Sequence, residues 1–161
     1  FATGFDAFTG AFDLIDIRGT EGRKLRDKWA DGPVTYLGLT VSDIPNLAMI
    51  AGPQTAATNF PRGAELAIDW TTSLLEYMWA NGYRRFDTNK DAENGWFEHV
   101  KQMYQGLLMR KAQSWITGYN SNLEGHEYGK TRYNIYNGGG PKYTKTLERV
   151  VAENYDGLKF K

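Results

Sequence analysis

Few side chains in this sequence could do chemistry by themselves. There is no cysteine, and the only histidines are His99 and His126. A disulfide, a thiolate metal site and a cysteine nucleophile are therefore excluded. Two histidines are too few for a histidine-rich metal cage, and no metal site is expected. His99 falls mid-helix beside Glu98, where it reads as a structural or surface residue. His126, between Gly125 and Glu127, reads as a solvated loop residue. Asp87 and Asp91 suit a helix start, where acidic groups meet the positive end of the dipole. Neither glycine-rich nucleotide fingerprint occurs, nor a Gly-x-Ser-x-Gly elbow. Gly138-Gly139-Gly140 follows a tyrosine-rich stretch and runs into Pro141. The positive signal is the junction at 52–62. A strand-like run ends at Gly52-Pro53, a small-residue loop follows, and a helix N-terminus points back at it. That arrangement offers backbone N–H groups and partial positive charge to a phosphate or to the edge of an electron-rich heterocycle.

The elements that must position this junction follow from the patterning. Phe12–Ile17, Tyr36–Val41 and Asn46–Ala51 are apolar runs bounded by turn residues and read as three strands. A short helical turn around Lys24–Trp29 links the first two. The spacing predicts a helix from Pro61 or Arg62, capped nearby by Asn59, with Leu66, Trp70, Leu74 and Met78 on one face. Asn81-Gly82 stops it. Thr88 and Asp91 resemble a capping box for a second helix, with Ala92, Trp96, Val100, Met103 and Leu107 inward. These Met and Trp stripes read as core packing rather than a cofactor surface. Residues 114–140 are rich in Gly, Asn, Tyr and Ser. A loop of that length in a compact domain is functional or disordered, and Trp115, Tyr119, Tyr133 and Tyr136 favour a stacking role. A last helix is expected at about Tyr143–Asn154.

Composition narrows the class. The chain has 161 residues, 41% of them hydrophobic, with 19 basic and 19 acidic side chains. That length suits one domain burying roughly 70% of its unfolded surface. A balanced charge argues against nucleic-acid and anionic-membrane partners. No apolar run approaches the ~20 residues of a bilayer span. The lack of cysteine fits a cytoplasmic location. The opening Phe1-Ala2-Thr3-Gly4 has no initiator Met and no helix cap. It reads as the end of a strand, and so as a piece of a longer protein.

A set of short motifs occurs in order. They are Ala2-Thr3-Gly4-Phe5-Asp6, Ile15-Asp16-Ile17-Arg18-Gly19, Tyr36-Leu37-Gly38, Pro45-Asn46-Leu47, Gly52-Pro53, Thr58-Asn59-Phe60-Pro61, Ser114-Trp115-Ile116-Thr117-Gly118-Tyr119-Asn120 and Tyr136-Asn137-Gly138-Gly139. Their order and spacing resemble the C-terminal third of a Baeyer–Villiger monooxygenase, an FAD- and NADPH-dependent flavoprotein that inserts oxygen beside a ketone carbonyl. The resemblance implies an α+β piece of an α/β FAD/NAD(P)-binding fold. Residues 1–60 would end the FAD domain and carry a small β-meander. A helical hairpin at 61–113, a mobile lid loop at 114–141 and a C-terminal helix and tail at 142–161 would follow.

The resemblance also implies roles for residues. Thr3 and Gly4 match the late FAD motif. Thr58, Asn59 and Phe60 match the segment beside the isoalloxazine, and Ala57 and Phe60 would border the ketone pocket. Trp115 matches the tryptophan that meets NADP and substrate when the lid folds over. Lys130, and more weakly Arg132, would help with the cofactor's phosphates. The glycine fingerprints, the Phe-x-Gly-x-x-x-His signature and the catalytic arginine of the family are absent. No catalytic residue is therefore assigned in this segment, and the chain alone is expected to be inactive. Its expected partners are a ketone, O2, and the rest of the polypeptide or a companion chain. Two other readings stay open: an aromatic-rich binding module without catalysis, and a related flavin N- or S-oxygenase.

Overall fold

Three helices of ordinary length organise the described residues; the first stops at a breaker, whereas the second stops at Met103, short of Leu107, which was expected on its inward face. The computed structural model describes residues 6–56, 58–127 and 129–161. In chain order come α1 (Gly10–Asp13), α2 (Leu25–Lys28), α3 (Phe60–Ala80), β1 (Phe86–Thr88), α4 (Lys90–Met103), α5 (Gly140–Ala152) and β2 (Leu158–Phe160). Short 3-10 turns lie at Thr20–Gly22, Leu108–Lys111 and Trp115–Thr117.

α3 starts beside Pro61, and the Asn59 side chain accepts from Arg62 N at 3.5 Å. It ends at Ala80, where Asn81 and Gly82 reverse the chain. Its inward residues Trp70, Leu74 and Met78 are buried. α4 is capped by Asn89, which accepts from Asp91 N at 3.1 Å, rather than by Thr88. Thr88 instead donates its hydroxyl to Thr40 in the core. Trp96 and Val100 of α4, Leu147 and Val150 of α5, and Tyr104, Tyr136 and Tyr155 complete the main core. A smaller cluster joins Leu25, Trp29, Val41, Ile44 and Met49.

The expected β-meander does not form among the described residues. Phe12 and Asp13 lie in the helical turn α1. Tyr36 meets Thr40 only as an isolated bridge, because Leu37 (φ 59) and Gly38 (φ 73) take the left-handed conformation between them. Asp43, Asn46 and Ala51 are also left-handed. Repeated reversals stop any of these runs from extending far enough to pair. Residues 35–42 are instead buried without a break, as a compact turn packed from all sides. Its polar groups are met by side chains: Gln54 accepts from Thr35 N (3.1 Å) and Thr35 Oγ1 (2.8 Å) and donates to Pro33 O (2.7 Å). The one two-stranded sheet described pairs β1 with β2 antiparallel, Phe86 opposite Phe160. Three-residue strands are too short to show a period in sequence.

Candidate functional site

The junction after Gly52 is built by backbone bonds to a distant segment. Gln54 N donates to Asn134 O at 2.7 Å, and Tyr136 N donates to Thr55 O at 2.9 Å. Ala56 and Tyr136 form a parallel bridge. The residues before α3 are thereby tied to those before α5. Thr58 lies where the two helices begin. A Cβ placed on Gly140 would sit 2.9 Å from the Thr58 methyl, and one on Gly63 would sit 3.0 Å from its hydroxyl. Both helices have proline in the first turn. Gly63 N is satisfied by Asn59 O, which leaves the Phe60 amide without an acceptor among the described residues. The Phe60 ring is 73% exposed. Thr58, Asn59 and Phe60 therefore do share one place, beside the positive ends of two helix dipoles. Thr3, Gly4 and Ala57 lie outside the described residues.

The 114–140 segment divides in two. Its second half belongs to the core. Tyr136 is buried and stacks on Trp96 at 5.0 Å, and Tyr133 meets Tyr104 edge-on at 5.2 Å. These two tyrosines stack on the protein itself. The first half carries Trp115, 55% exposed and stacked on Phe8 at 5.6 Å. Ser114 Oγ accepts from Ile116 N and caps that turn. Lys130 is exposed, with its ammonium 3.6 Å from Asp31. No hydrogen bond, ion pair or ring contact joins Trp115 or Lys130 to Thr58–Phe60 among the described residues.

Two expectations are corrected here. His126 is not a solvated loop residue: its side chain is 11% exposed, and its Nδ1 donates to Gly118 O at 2.8 Å. Its Nε2 lies 3.9 Å from the Asp6 carboxylate. Burial acts to raise the Asp6 pKa, but bonds from the Thr9 side chain and from the amides of Thr9 and Phe8 outweigh it and hold the group below its ordinary value. Arg132 is not free to meet a phosphate. It is 7% exposed and donates through Nη2 to Ala30 O at 2.7 Å and to Gly125 O at 3.4 Å. Sequence reasoning could have suspected this from Gly118 and Gly125, which make room for a side chain crossing the loop.

Two hollows flank the loop. One of about 530 Å³ is lined by Arg110, Lys111, Tyr119, Glu127 and Lys130. Another of about 410 Å³ is lined by Asp13, Arg26, Trp29, Glu124, His126 and Arg132. No helix among the described residues is long and apolar enough to cross a membrane.

No protein-family model matches the chain. Individual relatives do. A monooxygenase of Pseudomonas putida named for 2-oxo-Delta(3)-4,5,5-trimethylcyclopentenylacetyl-CoA is 36% identical over 99% of this chain and 29% of its own length. A Baeyer–Villiger monooxygenase of Pseudooceanicola batsensis is 34% identical over 98% of this chain and 28% of its own. The closed crystal structure of a cyclohexanone monooxygenase overlays all of this chain and 29% of that one, with a TM-score of 0.92 at 34% identity. This chain is homologous to the Baeyer–Villiger monooxygenases over its whole length. It spans under a third of the relatives it matches. One such structure, OTEMO in complex with FAD and NADP, matches with a TM-score of 0.85 and 35% identity over 99% of this chain and 28% of that one.

Proposed function

We propose that this chain is the C-terminal part of a flavin-dependent Baeyer–Villiger monooxygenase, which converts ketones to esters or lactones with NADPH and O2. The observation that carries the reading is the junction at Thr58–Phe60. There a helix-start amide with no acceptor among the described residues and an exposed aromatic ring stand together in a chain homologous throughout to these enzymes.

The residues fit the flavin edge. Thr58 and Asn59 hold the start of α3 in place, and the Phe60 amide is a donor for an electron-rich ring edge. The dipoles of α3 and α5 favour negative charge at the same spot. The Phe60 ring borders the ketone, and the resemblance assigns Ala57, three residues earlier in sequence, to the same pocket. When bound, the flavin and nicotinamide supply the redox chemistry of oxygen insertion. Trp115 is the contact to the nicotinamide cofactor, and its loop excludes water from the reacting atoms. Lys130, exposed and only loosely paired, is the cation left for a cofactor phosphate. Thr3 and Gly4 belong to the FAD-facing motif.

The test joins this chain to the upstream sequence of its natural polypeptide. A yellow protein that oxidises NADPH when given a ketone, with an ester or lactone as product, supports the reading. A colourless and inert protein, or one that yields only N- or S-oxides, overturns it.

A further inference from the structure

We infer that Arg132 is a positioning residue that fixes the pose in which the loop presents Trp115. The inference rests on the reading above that Trp115 meets the nicotinamide cofactor, and it adds a residue that acts on that contact indirectly.

Arg132 is an unusual buried cation. No carboxylate lies within ion-pair distance of its guanidinium among the described residues. Its hydrogen-bond partners are two backbone carbonyls, Ala30 O at 2.7 Å and Gly125 O at 3.4 Å, while the carboxylates of Asp6, Asp13, Asp31 and Glu127 act on its charge from beyond ion-pair distance. Carbonyls hold a guanidinium only in a narrow range of positions, because its donors form a rigid planar fork. A buried charge also resists being pulled away from such partners into apolar surroundings. Arg132 therefore acts as a gauge between two segments. Ala30 follows α2, and Gly125 lies in the loop.

The space around the side chain is carved for it. Gly118, at φ +85, would drive a Cβ to 2.6 Å from the Arg132 Cβ. Gly32, at φ +127, would bring one to 3.3 Å from its Cγ. Two glycines in a conformation that other residues avoid thus line the passage of this arginine.

The backbone of the same residue reaches the tryptophan turn. Arg132 N donates to Thr117 O at 2.9 Å, within the turn Trp115–Thr117. Gly118 O, the next carbonyl, accepts a hydrogen bond from His126 Nδ1. One residue therefore anchors the Trp115 turn through its main chain and the body of the protein through its side chain. The Trp115 ring then stacks on Phe8.

The experiment compares Arg132→Met, Arg132→Lys and Gly118→Ala. In this chain, amide hydrogen exchange is read across 115–126 together with the thermal midpoint. In the full polypeptide, the KM for NADPH, the KM for the ketone and the NADPH consumed per ester formed are measured. Arg132→Met and Gly118→Ala are expected to speed exchange only in 115–126. They should raise the NADPH KM about tenfold and lower the yield of ester per NADPH, a misplacement effect. The ketone KM stays put, any fall of the thermal midpoint comes without faster exchange outside 115–126, and Arg132→Lys recovers part of the loss. Exchange that rises throughout the chain with a lowered midpoint reduces Arg132 to a structural role and overturns the inference. So does an unchanged NADPH KM and coupling in an active enzyme. If the full polypeptide oxidises no ketone, the functional reading fails by itself, and exchange in this chain still decides whether Arg132 holds the loop.

Discussion

Lys28 and Glu93 meet in a buried ion pair, Nζ to Oε2 at 3.0 Å, across 65 residues of sequence. Ser42 completes it: its hydroxyl and amide donate to the two Glu93 oxygens at 2.5 and 2.8 Å, and its carbonyl accepts from Lys28 at 2.7 Å. The group ties α2 and the compact turn to α4, and so joins the smaller core cluster to the larger. Glu93→Ala leaves the Lys28 ammonium buried without its partner. The expected loss is about 3–5 kcal/mol, read from urea unfolding. The double change Lys28→Met with Glu93→Leu removes both charges and should recover most of that loss, since a buried pair stabilises little against an apolar replacement.

Asn59 caps α3 with a long bond, 3.5 Å to Arg62 N. Asn59→Ala should therefore cost near the low end of the usual range, about 0.5 kcal/mol. Its effect on flavin retention in the full polypeptide should be larger, because the cap also sets the Phe60 amide. A thermal melt and an FAD titration on the same variant separate the two. Equal weakening in both, or none in the titration, rejects the placement of the flavin edge at Phe60.

Tyr36 donates its hydroxyl to Asp156 O at 2.6 Å. Burial first, and then the charge of Asp156, pushes its phenol up to about 12 from an ordinary 10. The folded chain keeps a proton here that the unfolded chain releases. The stability tied to Tyr36 is thus complete below pH 10 and drains away as pH climbs towards 12. Urea midpoints measured across that range should fall. In Tyr36→Phe the slope flattens, while the neutral-pH midpoint drops by the equivalent of about 1 kcal/mol for the lost bond.

Asp6 behaves in the opposite sense. Its carboxylate is held below the ordinary 3.8 by the bonds from Thr9 and Phe8, despite partial burial. Its contribution is present above that value and lost as pH falls through the lower folded one. The turn at 6–9 and the neighbouring His126 segment should open to proteolysis only under strongly acidic conditions. Asp6→Asn should open them already at neutral pH. Cleavage that is the same in both proteins at every pH dismisses the contact.

The helices were legible and the strands were not, for one physical reason. α3, α4 and α5 are long enough for apolar residues to repeat on a face, but the end of α4 was misplaced: it stops at Met103, and Leu107, expected on its inward face, lies beyond it and is exposed. The runs at 36–41 and 46–51 look like strands because they are apolar. Their left-handed residues Leu37, Asn46 and Ala51 carry no compositional mark. β1 and β2 escaped notice because three residues cannot display alternation. In the candidate site, Thr58, Asn59 and Phe60 were visible as a loop running into a helix. Nothing local in the sequence of Arg132, His126 or Glu93 announces partners that lie far away along the chain. Each becomes readable only when the fold brings Ala30, Asp6 or Lys28 alongside.

The backbone bonds from Gln54 to Asn134 and from Tyr136 to Thr55 carry a kinetic meaning. They splice the far end of the Trp115 loop onto the peptide that leads into Phe60. Under the proposed function, a ligand that seats the loop stiffens the other cofactor's edge through the core-packed stretch that carries Asn134 and Tyr136. Under the proposed function, the imprint of this splice is an order of events. Flavin release should slow once the nicotinamide is in place, and the nicotinamide should linger longest on a protein already holding flavin.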